Sequence, residues 1–179
     1  MGGRRVTDDH YAGIVYDLDG TLVTLAVNWD AVATDVIQVY ADAGIDATGA
    51  GLWSLLEDAD EHGIADRVEE AISRHEREGA RRSRRCGLAD ELADRTVPVG
   101  VCSLNCEAAC RIALETHGLA GDVDAVVGRD SVSTHKPDPE PLLATLEALG
   151  VEPAEALFVG DSPRDKETAE RAGVAFEYV

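Results

Sequence analysis

Short apolar runs alternate with helix-like segments over the whole C-terminal half of the chain, and no other feature constrains the fold as much. Val97 to Ser103 reads as a strand, and Glu107 to Thr116 as a helix closed by Gly118. Ala125 to Gly128 is a second strand, followed by a helix from Pro139 to Leu149 that ends at Gly150. Ala156 to Gly160 is a third strand, Asp165 to Ala172 a helix with Gly173 behind it, and Ala175 to Val179 a last strand. Near the N-terminus, Ala12 to Asp17 (AGIVYD) has the Ile/Val/Tyr-rich texture of one more buried strand. Repeated βα units require right-handed crossovers and a parallel sheet flanked by helices, an α/β architecture. In such sheets ligands bind beyond the carboxyl ends of the strands.

Between Val27 and Arg85 the texture changes. Helical periods run over Trp29 to Ala43 (apolar Val32, Val36, Ile37, Val39 and Tyr40), Leu52 to Glu61 and Ala65 to Arg77. Glycines punctuate them, and no strand pattern occurs there. The expected organisation is therefore a core formed by 1–25 and 86–179, interrupted by an all-helical unit at 26–85. A short helix from Leu88 to Asp94 follows Cys86-Gly87. Met1 to His10 has no apolar stretch behind a cleavage site and reads as a frayed tail rather than a signal peptide.

Charge narrows the partners. The chain carries 35 acidic against 16 basic residues, a net charge of −19, which repels nucleic acid and anionic membranes. No apolar run approaches the roughly 20 residues that span a bilayer, and a cytoplasmic location is expected. Only two of the basic residues are lysines, Lys136 and Lys166. An acidic, lysine-poor surface resembles that of proteins from salt-loving archaea, whose self-repulsion is screened where the Debye length falls to about 3 Å at 1 M salt. Full folding in dilute buffer would count against that expectation. Of the four cysteines, Cys102, Cys106 and Cys110 are spaced by four and form no Cys-x-x-Cys pair, so buried core thiols are expected rather than a zinc site. The basic run Arg81, Arg82, Arg84, Arg85 lies among acids such as Glu76 and Glu78 and reads as a solvated helix face; steering of an anionic substrate is the alternative.

Distinctive polar groups stand at the ends of the expected strands: Asp17 and Asp19, Ser103, and Asp161 with Asp165. Lys136 follows the Ala125–Gly128 strand after a short loop. A parallel sheet brings such ends into one crevice. Carboxylates, a hydroxyl and a lysine together suit phosphoryl transfer with magnesium: the carboxylates hold the ion and the lysine stabilises charge on the moving group. Local turn chemistry is the competing explanation, and Asp165 in particular could cap the helix behind it.

Asp17-Leu18-Asp19-Gly20-Thr21-Leu22 resembles the first motif of the haloacid dehalogenase superfamily, Asp-x-Asp-Gly-Thr. VCSLN at 101–105 is similar to the second, an apolar strand ending in Ser or Thr. His135-Lys136-Pro137-Asp138-Pro139 resembles the third, and Gly160-Asp161-Ser162-Pro163-Arg164-Asp165 the fourth. The resemblance covers about 12–179 in order and spacing. It implies a Rossmann-like core with a small helical cap after the first motif, and a phosphatase working through an aspartyl-phosphate. In that scheme Asp17 is the nucleophile and Asp19 the acid and base. Asp17, the main-chain carbonyl of Asp19, and Asp161 hold Mg²⁺, and Asp165 binds the metal or orients its waters. Ser103 and Lys136 bind the phosphoryl oxygens, helped by backbone N–H groups at Leu18 and Asp19. The pattern departs in two places: Leu104 separates Ser103 from Asn105, and Thr24-Leu25 stands where many relatives have Asp-Ser. The implied substrate is a small phosphorylated metabolite, with phosphoglycolate-phosphatase-like members most similar. A β-phosphoglucomutase-like phosphomutase would use the same motifs, and a catalytically silent binding module is the non-enzymatic alternative.

Overall fold

The protein is known from a computed structural model, which describes residues 10–179. The expected frayed tail from Met1 to His10 lies, apart from His10, outside the described residues. The chain opens with strand β1 (Gly13–Tyr16) and a two-residue strand β2 (Val23–Thr24), then enters helices α1 (Trp29–Asp42), α2 (Leu52–Asp58) and α3 (Ala65–Arg81). It returns through a second two-residue strand, β3 (Arg84–Arg85), and a 3₁₀ segment at Gly87–Asp94. The rest alternates: β4 (Val99–Cys102), α4 (Glu107–Thr116), β5 (Ala125–Val127), α5 (Glu140–Leu149), β6 (Ala156–Gly160), α6 (Pro163–Ala172) and β7 (Ala175–Tyr178).

The main sheet has the order β5-β4-β1-β6-β7, and every pair in it is parallel. Tyr16 at the end of β1 stands beside Val101 and Val159. Side chains alternate with period two and both faces are covered, as parallel sheets require. Ile14, Tyr16, Val99, Val101, Leu157 and Val159 pack with Ala109, Cys110, Ala113 and Leu114 of α4. Val15, Cys102 and Phe158 pack on the opposite side with Leu142 and Leu146 of α5 and Ala169 of α6. Each Val, Ile, Leu or Phe among them contributes about 1.5–3 kcal/mol on burial, so the central strands are fixed in register. The four cysteines are free; Cys102, Cys106 and Cys110 are buried core thiols, as expected.

Helices α1, α2 and α3 have an apolar cluster of their own, built from Val32, Val36, Tyr40, Leu55, Ile64, Val68 and Ile72. Asn28 caps α1, its side chain accepting from the N–H groups of Asp30 (3.1 Å) and Ala31 (3.2 Å). Three features depart from the sequence expectation. Arg84–Arg85 pairs antiparallel with Val23–Thr24 to form a ribbon at the base of the helical unit, where no strand was expected. A two-residue strand of exposed arginines carries no apolar alternation, and its pairing is long-range. Helix α3 continues to Arg81, past the expected end at Arg77.

The third departure is Glu76. It is completely buried rather than part of a solvated face. Its carboxylate accepts from Arg129 at both oxygens (2.7 Å each) and from the Cys106 N–H (3.2 Å). Arg129 also donates to Glu69 (2.6 and 3.1 Å), Ser73 Oγ (3.3 Å) and the Leu104 carbonyl (2.7 Å). This buried network joins α3 directly to the loop after β4.

Candidate active site

Where β1 ends, the Leu18 carbonyl accepts from the N–H groups of Thr21, Leu22 and Val23, which folds residues 17–23 into a tight turn. Gly20 in that turn has φ +84°, and a Cβ there would lie 2.0 Å from Asp161 Oδ2, so only glycine fits. The turn holds Asp17 buried, with Thr21 Oγ1 at 3.5 Å from its Oδ2. Asp19 Oδ1 accepts from the Leu25 N–H at 2.9 Å.

Lys136 reaches the same point from the loop after β5. Its Nζ, buried to 3 % exposure, donates to Asp17 Oδ1 (2.9 Å), Asp165 Oδ1 (2.6 Å) and the Cys102 carbonyl (3.2 Å). Asp165 is not the cap of α6: Ser162 is, accepting from the Asp165 N–H at 3.2 Å. Asp165 instead sits in the first turn with its carboxylate turned inward. One oxygen meets Lys136, while Oδ2 is buried with no hydrogen-bond partner among the described residues. Carboxylate oxygens of Asp17, Asp161 and Asp165 all lie within 4.8 Å of one another.

Electrostatics follow from this crowding. Burial pushes the Asp17 carboxyl up to about 7; Lys136 opposes that shift and the neighbouring charges of Asp165 and Asp161 add to it. Burial alone would lower the Lys136 ammonium, but Asp17 and Asp165 outweigh it and hold the lysine charged. Burial also raises Asp19, partly countered by the Leu25 N–H. Three close carboxylates, one with an unused buried oxygen, against a single ammonium form a set of hard oxygen donors short of positive charge. That donor set fits Mg²⁺, which is bound through one or a few carboxylates at an otherwise hydrated site.

Ser103 is buried at the end of β4, and its Oγ accepts from the backbone N–H (3.0 Å) and the side-chain amide (3.2 Å) of Asn105. Asn105, set one place off by Leu104, thus serves to orient the serine and itself lines the cleft. The Leu18 side chain is in the core, which leaves only its main chain for a ligand. The cleft, about 170 Å³, is lined by Asp17, Asp19, Lys136, Asp161 and Asp165 together with residues not singled out from sequence: Trp29, Trp53, Arg164. None of Arg81, Arg82, Arg84 or Arg85 lines it; Arg85 pairs with Asp90 and the His117 carbonyl instead.

Residues 53–179 match the family model described as haloacid dehalogenase-like hydrolase, well over half of the chain. The chain belongs to the haloacid dehalogenase-like hydrolases. Phosphoglycolate phosphatase of Rhodospirillum rubrum is 35 % identical over 90 % of this chain and 76 % of its own length. The enzyme of the same name from Aquifex aeolicus is 30 % identical, over 89 % of this chain and 80 % of its own. A haloacid dehalogenase-superfamily hydrolase structure from Geobacter sulfurreducens is 27 % identical and superposes with a TM-score of 0.63, covering 93 % of this chain and 88 % of that one. The five-stranded order described above is the Rossmann-like core of this hydrolase family. Asp17 and Asp19 precede the matched segment, so their place in the site rests on the geometry given above.

Proposed function

We propose that this hydrolase is a magnesium-dependent phosphatase that cleaves a small phosphate monoester through an aspartyl-phosphate on Asp17. The observation that carries this is Lys136 Nζ between Asp17 and Asp165, groups 119 and 29 residues away in sequence. Asp17 attacks phosphorus as the ester P–O bond breaks, and Asp19 gives a proton to the departing oxygen. Asp19 then takes a proton from water, whose oxygen attacks phosphorus, breaks the acyl-phosphate and frees inorganic phosphate and Asp17. Lys136 and the Ser103 hydroxyl bind the phosphoryl oxygens, with main-chain N–H groups of Leu18 and Asp19. Asp17, Asp161, Asp165 and the Asp19 carbonyl would hold Mg²⁺, which supplies neutralisation of phosphoryl charge and a Lewis acid. The helical unit at 26–85 serves as the cap, and the core is 1–25 with 86–179. The acidic, lysine-poor surface supports a cytoplasm rich in salt as the setting. The named relatives make phosphoglycolate the first ester to assay.

Phosphate release from p-nitrophenyl phosphate with and without Mg²⁺ tests the reading. Turnover that needs Mg²⁺ is expected, and no turnover under either condition would leave the silent binding module. Conversion of a sugar 1-phosphate by way of its bisphosphate, without net phosphate release, would establish the phosphomutase. In the same assay Lys136→Ala is expected to lower kcat by about 10²–10³-fold, the scale of losing one preorganised donor to a developing oxyanion. An unaltered kcat would remove Lys136 from the phosphoryl clamp.

A further inference from the structure

The cleft has two unlike faces. Its floor is ionic, made by Asp17, Asp19, Lys136 and Asp161 at the sheet end. Its other side comes from the helical unit, and the only residues that unit contributes are Trp29 and Trp53. These are the only two tryptophans in the chain. Trp29 is 38 % exposed, unusual for so large an apolar side chain and not explained by packing within α1–α3. The indoles lie 6.0 Å apart, tilted at 53°, so neither ring face is consumed by stacking on the other. The Asn28 cap fixes the start of α1 and with it the position of Trp29. No lysine, arginine or histidine of the helical unit lines the cleft. Among the described residues, the one cation besides Lys136 that lines the cleft is Arg164, on α6 next to the acidic floor.

An ester held by its phosphate on the floor therefore presents its alcohol to the two indoles. The helical side offers a carboxylate no cation, whereas a ring with an apolar face gains aromatic contact there over a wide area. We propose that Trp29 and Trp53 select phosphate monoesters whose alcohol carries a flat or ring-shaped apolar face, a cyclic sugar or an aryl group, over compact acyclic acids. This rests on the phosphatase reading and narrows its substrate class.

The test compares kcat/KM for glucose 6-phosphate, phenyl phosphate and phosphoglycolate in the wild type, Trp29→Ala and Trp53→Ala. The ring esters are expected to exceed phosphoglycolate in the wild type, the better of the two naming a sugar or an aryl alcohol. Each substitution should cut the ring-to-acyclic ratio by about tenfold. A ratio that stays fixed, or phosphoglycolate as the best ester, overturns the proposal while leaving the phosphatase intact. Because both tryptophans line this cleft, intrinsic fluorescence of Asp17→Asn titrated with the same three compounds gives a readout independent of turnover. Emission should shift with the ring esters and not with phosphoglycolate; the reverse pattern overturns the selection. Absence of turnover of every ester, with the fluorescence response present, would retire the phosphatase reading and keep the aromatic wall.

Discussion

Asp17→Asn is expected to abolish turnover and to leave the fold in place. The amide is nearly isosteric with the carboxylate but is a poor nucleophile toward phosphorus. The expected fall in kcat is on the order of 10⁵-fold or more, the scale of removing the covalent nucleophile of a hydrolase. Stability should hardly change, because two effects of the substitution oppose each other. Lys136 loses one charged partner but keeps Asp165 at 2.6 Å, and the repulsion that Asp165 and Asp161 exert on Asp17 disappears. A melting temperature within about 4 °C of wild type, equivalent to about 1 kcal/mol, is expected beside the lost activity. Retained turnover would take the nucleophile away from Asp17.

Arg129→Ala has the largest expected effect on stability. The guanidinium is 2 % exposed and satisfies Glu76, Glu69, Ser73 and the Leu104 carbonyl at once. Removing it strands a completely buried Glu76 carboxylate, which costs about 3–5 kcal/mol when one member of a buried pair is lost. Urea denaturation should show the midpoint falling with little change in slope. Replacing the pair together, Arg129→Met with Glu76→Met, should recover part of the loss, because no buried charge is then stranded at Glu76, while the Leu104 carbonyl and the Cys106 N–H remain without this partner.

The pH dependence distinguishes a stranded charge from a mere cavity. Burial already raises Glu76 against the pull of Arg129, and without the arginine its folded-state affinity for a proton rises further. A carboxyl raised in the folded state binds more protons there than in the unfolded chain, so stability falls as pH rises through the interval between the two values. The Arg129→Ala deficit should therefore be smaller near pH 5 than near pH 8. A deficit independent of pH would mean that lost packing, not stranded charge, is responsible.

Much of this was legible in the amino-acid sequence because parallel strands announce themselves by burial on both faces. GIVY, VGVC and ALFVG are continuous apolar runs, and the acids at their ends stand out against them. Asp17 and Asp161 were therefore readable as neighbours before any distance was known. Glu76 was not, because a charged residue in an arginine-rich helix reads as solvated, and its partner is 53 residues away. Asp165 reads as either cap or ligand in the sequence, and the capping is done by Ser162 three residues earlier. The Arg84–Arg85 strand is defined only by its partner across the chain. Trp29 and Trp53 were visible as helical positions, but nothing local says that two helix starts point at the end of a sheet.

On the proposed mechanism, distant strand ends build one site for a divalent cation. Calorimetric titration of Mg²⁺ into the wild type and into Asp161→Asn tests it without reference to turnover. The wild type should bind one ion, and the variant, with one of the three clustered carboxylates made neutral, should bind at least tenfold more weakly. Equal binding by the two proteins, or none by either, would contradict it.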